Sequence, residues 1–258
     1  MYPDVNAEKD FQEFFHKSRA EVVEPIEKYV RMGCNEDYIK REAFAKYQPK
    51  NREELAKLYD SDEMLSMYAR NIGDNWFTAL SQLSDEEKRI SYVYKIAFDL
   101  FSDRKDVSIL DYGCGSAIYP FKLYFQGFNN ITIADIPHRH FKFLQFLCKK
   151  YQVGMKFLPL ENDTSLVEKY DYIINSEVLE HVWEPEEVLD HMIAHMKDDG
   201  VMYLSTFFDD MRGQDPTHLV QNTKRYNDPD IWLNKVRQHG LVPTIFDMNG
   251  VPKGFKKG

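Results

Sequence analysis

Two patterns of apolar positions divide the chain near residue 105. In the stretches 10–30 and 85–101, apolar residues recur every three or four positions, which is the period of an α-helix. From residue 106 onward, short apolar runs alternate with amphipathic segments instead. The pattern predicts a helical region over residues 1–105, with five or six helices, and an α/β domain over residues 106–258.

The apolar runs after residue 106 are nearly continuous, which is typical of strands buried on both faces. Six of them are predicted strands: Val107–Leu110, Ile131–Ala134, Met155–Leu158, Tyr172–Ile174, Val201–Ser205 and Leu241–Phe246. Helices fit between them. Strands that alternate with helices predict an α/β fold with a mostly parallel sheet and helices on both faces. Ligands of such sheets bind beyond the carboxyl ends of the strands.

Helix signals are clearest over Pro185–Lys197, where a proline and acidic residues come first, a lysine comes last and Gly200 follows. A seventh strand is a candidate over Val251–Phe255. Because Pro252 has no backbone N–H to donate, we expect this strand to lie at a sheet edge or to be a fragment.

Composition and charge narrow the partners. The chain has 258 residues, 43% of them hydrophobic, and a formal net charge of −9 without a basic stripe, which argues against a nucleic-acid partner. Three widely spaced cysteines form neither a disulfide framework nor a metal-site pattern, so we expect no metal and a reducing, cytoplasmic setting. No apolar stretch of membrane-spanning length is present, so we expect no membrane partner.

Polar residues follow the first two predicted strands. Asp111 ends the first, and Gly113 and Gly115 allow a tight turn close to a ligand, although Ile118 stands where a dinucleotide motif has its third glycine. Asp135 ends the second strand, 20 positions after Gly115, where a carboxylate could accept the hydroxyls of a ribose. The next residue, Ile136, could lie on a purine face or simply pack.

The third and fourth strands add further candidates. Glu161 or Asp163 could accept a hydrogen bond from an adenine amine, and the sequence does not decide between them. Asn175, Glu177 and His181 follow the fourth strand closely.

Taken together, these stretches resemble class I S-adenosylmethionine-dependent methyltransferases. The resemblance rests on ILDYGCGSA, on the acid in IADI and on YDYIINSEVLEHVWEPEEVL, and it covers roughly residues 105–247. SEVLEHV and the later DPTH, residues 215–218, are most similar to the branch that contains the ubiquinone-biosynthesis O-methyltransferases. The resemblance implies a Rossmann-like domain that binds S-adenosylmethionine, preceded here by an N-terminal helical cap.

The same resemblance implies roles for single residues. Asp111 would hold the methionine amino group of the cofactor, and Gly113 and Gly115 would let the backbone pass beneath it. Asp135 would bind the ribose hydroxyls. Asn175 and Glu177 would lie near the methionine and sulfonium end.

Methyl transfer to a hydroxyl or a protonated amine needs a base, for which histidine is suited near neutral pH. His218 and His181 are the two candidates, and a structural role for His181 stays open. His138 and His140 are expected to cap a helix or to contact the cofactor region rather than to bind metal. His191 and His195 are expected on a solvated helix face.

The expected activity is methyl transfer to an oxygen or nitrogen atom of a small molecule. Methylation of a peptide or protein side chain is one alternative, and a catalytically idle cofactor-binding partner protein is another. Trp76, Phe77, Tyr92, Tyr94 and Phe98 could wall an acceptor or merely fill the helical core. The sequence does not determine the oligomeric state.

Overall fold

A computed structural model describes residues 9–10, 13–14, 16–17, 20–21, 50–61, 64, 89–160, 166–208, 218–247 and 249–258. Most of the predicted helical region lies outside these residues, so its five or six helices stay a prediction. The helices described in full are α1 Arg52–Tyr59, α2 Arg89–Phe101, α3 Ile118–Phe125, α4 Arg139–Tyr151, α5 Pro185–Ala194, α6 Val220–Tyr226 and α7 Pro229–Gln238.

Seven strands form one sheet in the order β3-β2-β1-β4-β5-β7-β6. Their bounds are β1 Ile109–Tyr112, β2 Ile131–Asp135, β3 Lys156–Pro159, β4 Tyr170–Ser176, β5 Met196–Ser205, β6 Leu241–Phe246 and β7 Pro252–Lys257. Strands β1 to β5 are parallel to one another, and β7 is antiparallel to both β5 and β6. This arrangement confirms the mostly parallel α/β fold.

Successive side chains of each strand point to opposite faces of the sheet, and two apolar clusters follow from this alternation. Ile109, Ile133 and Tyr203 belong to the cluster that includes residues of α2, α3 and α4. Leu110 and Met202 belong to the other, with residues of α5, α6 and α7. Both faces of the sheet are therefore covered, as the continuous apolar runs predict.

The final strand departs from the expectation, because β7 lies inside the sheet between β5 and β6 and not at an edge. Pro252 is tolerated since it is the first residue of β7 and lies opposite Phe246 of β6. The pairing with β5 involves Gly254 and Phe255 instead, so the missing N–H of the proline is not needed there.

Helix α5 ends at Ala194, three residues before the predicted end at Lys197. Met196 already pairs with Tyr170 at the start of β5. The Lys197 ammonium lies 2.8 Å from the Asp171 carboxylate and does not cap the helix. A tertiary ion pair has replaced the local helix-end interaction that the sequence pattern indicates.

Helix α2 precedes the predicted domain boundary, but it packs against the sheet. The Tyr172 hydroxyl of β4 donates a hydrogen bond of 3.0 Å to the Val93 carbonyl of α2. The rings of Phe101 and Tyr172 lie 6.1 Å apart.

Within the described ranges, no helix is both long and apolar enough to cross a membrane.

Candidate functional site

The turn after β1 approaches the segment after β4 closely. Gly113 has a φ of +74°, and a Cβ at this position would come within 2.6 Å of the Val178 side chain. The Gly113 N–H donates to the Ala134 carbonyl at 2.8 Å. Glycine is required here both by the backbone conformation and by the lack of space. The turn therefore joins the ends of β1, β2 and β4 at one edge of the sheet.

Two polar side chains beneath this turn are almost fully buried. Asp111 is 2% exposed and Asn175 is 0% exposed. The Asn175 amide donates to the Tyr112 carbonyl at 3.1 Å. Among the residues described, neither Oδ2 of Asp111 nor Oδ1 of Asn175 has a hydrogen-bond partner. Buried acceptors without partners are costly, so these two oxygens suit a ligand that brings N–H groups.

The Asp111 carboxyl is also electrostatically unusual. Burial, together with the nearby negative charge of Asp135, raises its pKa well above the ordinary value of 3.8. A cation placed against it would reverse that shift. The ammonium group of S-adenosylmethionine has the charge and the donors to do so, and the buried oxygens therefore fit this cofactor.

Asp135 lies at the end of β2 with its carboxylate held by backbone amides. Oδ2 accepts the Gly115 N–H at 2.8 Å, and Oδ1 accepts the Ile136 N–H at 2.8 Å. Nε2 of His140, in the first turn of α4, lies 3.4 Å from Oδ2. Burial would raise the pKa of Asp135, but His140 and the two amides outweigh it and lower the pKa. A charged carboxylate at this edge is suited to accept ribose hydroxyls.

Glu177 begins the segment after β4 in a left-handed conformation, with a φ of +56°. Its N–H donates to the Ser205 carbonyl at 2.8 Å, and its Oε1 accepts the Ser205 hydroxyl at 2.9 Å. A non-glycine residue with positive φ is held there by its surroundings, and such residues are common at functional sites.

The two candidate bases lie next to each other. The ring centroids of His181 and His218 are 4.9 Å apart, at an interplanar angle of 69°. They come from different parts of the chain, since His181 follows β4 and His218 precedes α6. The structure therefore brings together both histidines that the sequence proposes separately.

Glu180 completes this cluster, although the sequence analysis did not single it out. It is 1% exposed, its Oε2 accepts the Thr206 hydroxyl at 2.7 Å, and its Oε1 accepts the Phe207 N–H at 3.3 Å. Burial and the neighbouring Glu177 raise the pKa of Glu180. One ligand atom from each of Glu180, His181 and His218 lies within 4.8 Å of the others, a set that could hold a metal ion.

A buried amide ties the two parts of the cluster together. The Asn222 side chain of α6 donates to the Val182 carbonyl at 2.7 Å. The Leu219 N–H donates to the Glu180 carbonyl at 3.1 Å. These bonds connect the segment after β4 to the start of α6, and thereby hold the His181 backbone beside that of His218.

The structure does not describe all of the predicted site residues. Glu161 and Asp163 lie outside the described residues, as do Trp76 and Phe77. The ring of His191 is not fully solvated as expected: its Nδ1 lies 3.2 Å from the Tyr112 hydroxyl.

The sequence leads us to expect His138 and His140 at a helix cap or near the cofactor region, but it does not specify which residue His140 contacts. The structure places Nε2 of His140 3.4 Å from Oδ2 of Asp135. The two residues are five positions apart in the sequence.

Comparison with known proteins adds an independent finding. A protein-family model described as "Methyltransferase domain" matches residues 68–249, beginning within the region predicted as a helical cap. Ubiquinone biosynthesis O-methyltransferase of Rickettsia prowazekii is 29% identical over 123 residues, which are 46% of this chain and 47% of that protein. The Rickettsia bellii protein of the same name is 28% identical over 123 residues, 46% of this chain and 49% of its own length. The chain thus matches about half the length of these relatives.

One solved structure covers most of the chain. It is described as an O-methyltransferase family protein from Burkholderia thailandensis, with a TM-score of 0.52 and 14% identity. The match covers 92% of this chain and 72% of that one. At this identity the likeness concerns the fold, which agrees with the seven-stranded sheet described above.

Proposed function

The chain belongs to the class I S-adenosylmethionine-dependent methyltransferases, and from that premise we propose that it transfers a methyl group to an oxygen atom of a small molecule. The observation that carries this proposal is the His181–His218 pair at the sheet edge that also bears Asp111 and Asp135. The names of the Rickettsia relatives favour oxygen over nitrogen as the acceptor atom.

Each part of the site has a task in this proposal. Bound S-adenosylmethionine supplies a methyl group that is already activated by its sulfonium. Asp111 and Asn175 hold the amino-acid end of the cofactor through their buried oxygens, and Asp135 holds its ribose. The glycine turn lets the cofactor approach the backbone, and Ile136 would pack against its purine. Orientation of this kind contributes a large part of the catalysis of a displacement reaction.

His218 or His181 removes the proton of the acceptor hydroxyl. The two rings are close enough for one to accept this proton while the other orients it or the acceptor. Glu180 lies beside both, and its hydrogen bonds to Thr206 and Phe207 anchor the start of the segment that leads to His218. A metal ion held by Glu180, His181 and His218 would be a different way of activating the same hydroxyl.

The test measures production of S-adenosylhomocysteine with a panel of catechols, aliphatic alcohols, primary amines and short peptides. We expect turnover with a hydroxyl acceptor and a loss of kcat by about 10²–10⁴ in His218→Ala or His181→Ala. His191→Ala is the matched control, because the polar contact that the structure gives for this histidine is with the Tyr112 hydroxyl and not with His181 or His218.

Other outcomes would point to other functions. Turnover only with amines or peptides would contradict an oxygen acceptor. Binding of S-adenosylhomocysteine without turnover on any class would favour the idle partner. Loss of activity on adding a chelator, restored by Mg²⁺ or Zn²⁺, would assign the histidines to a metal rather than to a base.

A further inference from the structure

A buried histidine lies behind the carboxylate that is proposed to bind ribose. His140 is 2% exposed and its Nε2 lies 3.4 Å from Oδ2 of Asp135. Burial of a histidine costs free energy, because the polar ring loses its water when it enters the core. The contact with Asp135 compensates for this loss, and it connects His140 to the candidate ligand site as well as to the core.

The partners of Asp135 divide between its two oxygens. Oδ2 accepts the Gly115 N–H at 2.8 Å and lies 3.4 Å from His140 and 3.7 Å from the Cys114 sulfur. Oδ1 accepts only the adjacent Ile136 N–H, at 2.8 Å, among the described residues. A carboxylate oxygen can accept about two hydrogen bonds, so Oδ1 has capacity for a ligand hydroxyl.

Without a positively charged partner, the surroundings of Asp135 would disfavour the charged form of its carboxyl. The carboxyl of Asp111 is close enough to interact unfavourably with it, and both groups are buried. Of the described residues that contact the Asp135 carboxylate, His140 alone has a side chain that can carry a positive charge. His140 belongs to α4, whereas Gly115 belongs to the turn after β1. The Asp135 carboxylate is therefore held by contacts from two separate parts of the fold.

We propose that His140 is a positioning residue for the cofactor. It holds Oδ2 against the glycine turn, and so keeps Oδ1 oriented to accept a ribose hydroxyl. The inference rests on the proposed ribose-binding role of Asp135. It adds that cofactor affinity depends on a residue that does not touch the cofactor, and that this dependence is confined to the ribose.

The experiment compares two ligands and several variants by calorimetric titration. The ligands are S-adenosylhomocysteine and its 2′,3′-dideoxy analogue, which lacks both ribose hydroxyls. The variants are His140→Leu and His140→Met, which remove the ring donor, His140→Gln, which keeps an N–H donor, and Asp135→Asn. His191→Leu is the control, since its ring contacts Tyr112 and not Asp135.

We expect the unaltered protein to prefer S-adenosylhomocysteine over the dideoxy analogue by about tenfold or more. His140→Leu and His140→Met lose most of this preference because they weaken the ribose contact, while their affinity for the dideoxy analogue stays within about twofold. His140→Gln restores the preference at least in part. The control keeps it in full.

Two results would overturn the proposal, and they are distinguishable. If the apolar variants weaken both ligands equally, or keep the full preference, His140 serves packing alone. If Asp135→Asn also keeps the full preference, the ribose assignment itself fails. Circular dichroism and melting curves show which variants are folded. Should His140→Leu not fold, the comparison of His140→Met with His140→Gln decides the question.

Discussion

Asp111 carries a carboxyl that is more easily protonated than an ordinary aspartic acid. Its pKa is raised because the group is buried and because Asp135 is near. The ammonium of a bound cofactor would favour the charged form and lower this pKa. Binding should therefore release a proton wherever the empty site holds Asp111 protonated.

The predicted signature is a binding enthalpy that depends on the buffer. Titrations of S-adenosylhomocysteine in phosphate and in Tris should differ, with proton release over a pH window that lies below the raised pKa of Asp111. Affinity should rise with pH through that window and then level off. Asp111→Asn should remove both effects, and adenosine, which has no ammonium, should not produce them. Buffer-independent enthalpies across the window would contradict the assignment.

Single residues also mark where sequence reasoning ends. The placement of Asp111, Asp135 and Asn175 at one edge of the sheet was predictable, because the strand ends of a parallel sheet converge there. The place of Glu180 in the histidine cluster was not predictable, although Glu180 directly precedes His181. It depends on the burial of Glu180 and on its hydrogen bonds with Thr206 and Phe207. The contact of His140 with Asp135 likewise depends on how α4 packs.

At the level of elements, three helices meet at one carboxylate. Glu186 of α5 accepts a hydrogen bond from the Tyr226 hydroxyl and lies 2.7 Å from the Arg225 guanidinium, both of α6. His239, just after α7, lies 3.3 Å from Glu186 and also contacts Asp190. Burial would lower the pKa of His239, but the two carboxylates outweigh it and raise the pKa.

This raised pKa predicts a stability that declines as the pH rises. The contribution of His239 is fully present below its unfolded pKa, near 6.5, and is lost as the pH rises through the higher folded value. At acidic pH we expect His239→Gln to lower the free energy of unfolding by about 1 kcal/mol or less, because the group is partly exposed to solvent. At alkaline pH we expect a smaller loss. Urea unfolding of both proteins at pH 5.5 and 9 measures the difference. An equal loss at both pH values would mean that charge is not involved.

The elements themselves were largely predictable, and the exceptions have physical causes. Leu241–Phe246 has the predicted bounds. Helix α5 ends three residues before the predicted position because Lys197 pairs with Asp171. Pro252 does not prevent β7 from lying inside the sheet, because it stands at the first position of the strand, where no N–H is required. Local patterns thus predict which elements form, and tertiary contacts determine where they end.

At the scale of the whole molecule, cofactor binding should stabilise more than the loops that touch it. The proposed cofactor residues lie after β1, β2 and β4, and β4 is hydrogen-bonded to α2 through Tyr172 and Val93. Helix α2 shares an apolar cluster with the sheet. If these parts unfold together, a ligand that binds only the folded state protects all of them equally.

S-adenosylhomocysteine at 100 times its dissociation constant should add about 2.7 kcal/mol to the free energy of unfolding. For a chain of this size that corresponds to a rise in Tm of about 5–10 °C. Amides of α2 and of β4 that exchange only through global unfolding should slow by the same factor, about 100-fold, in hydrogen-exchange measurements. Asp135→Asn at the same ligand concentration should show a smaller shift because its site is less occupied. Protection of β4 without protection of α2 would show instead that the helix, residues 89–101, opens independently of the sheet.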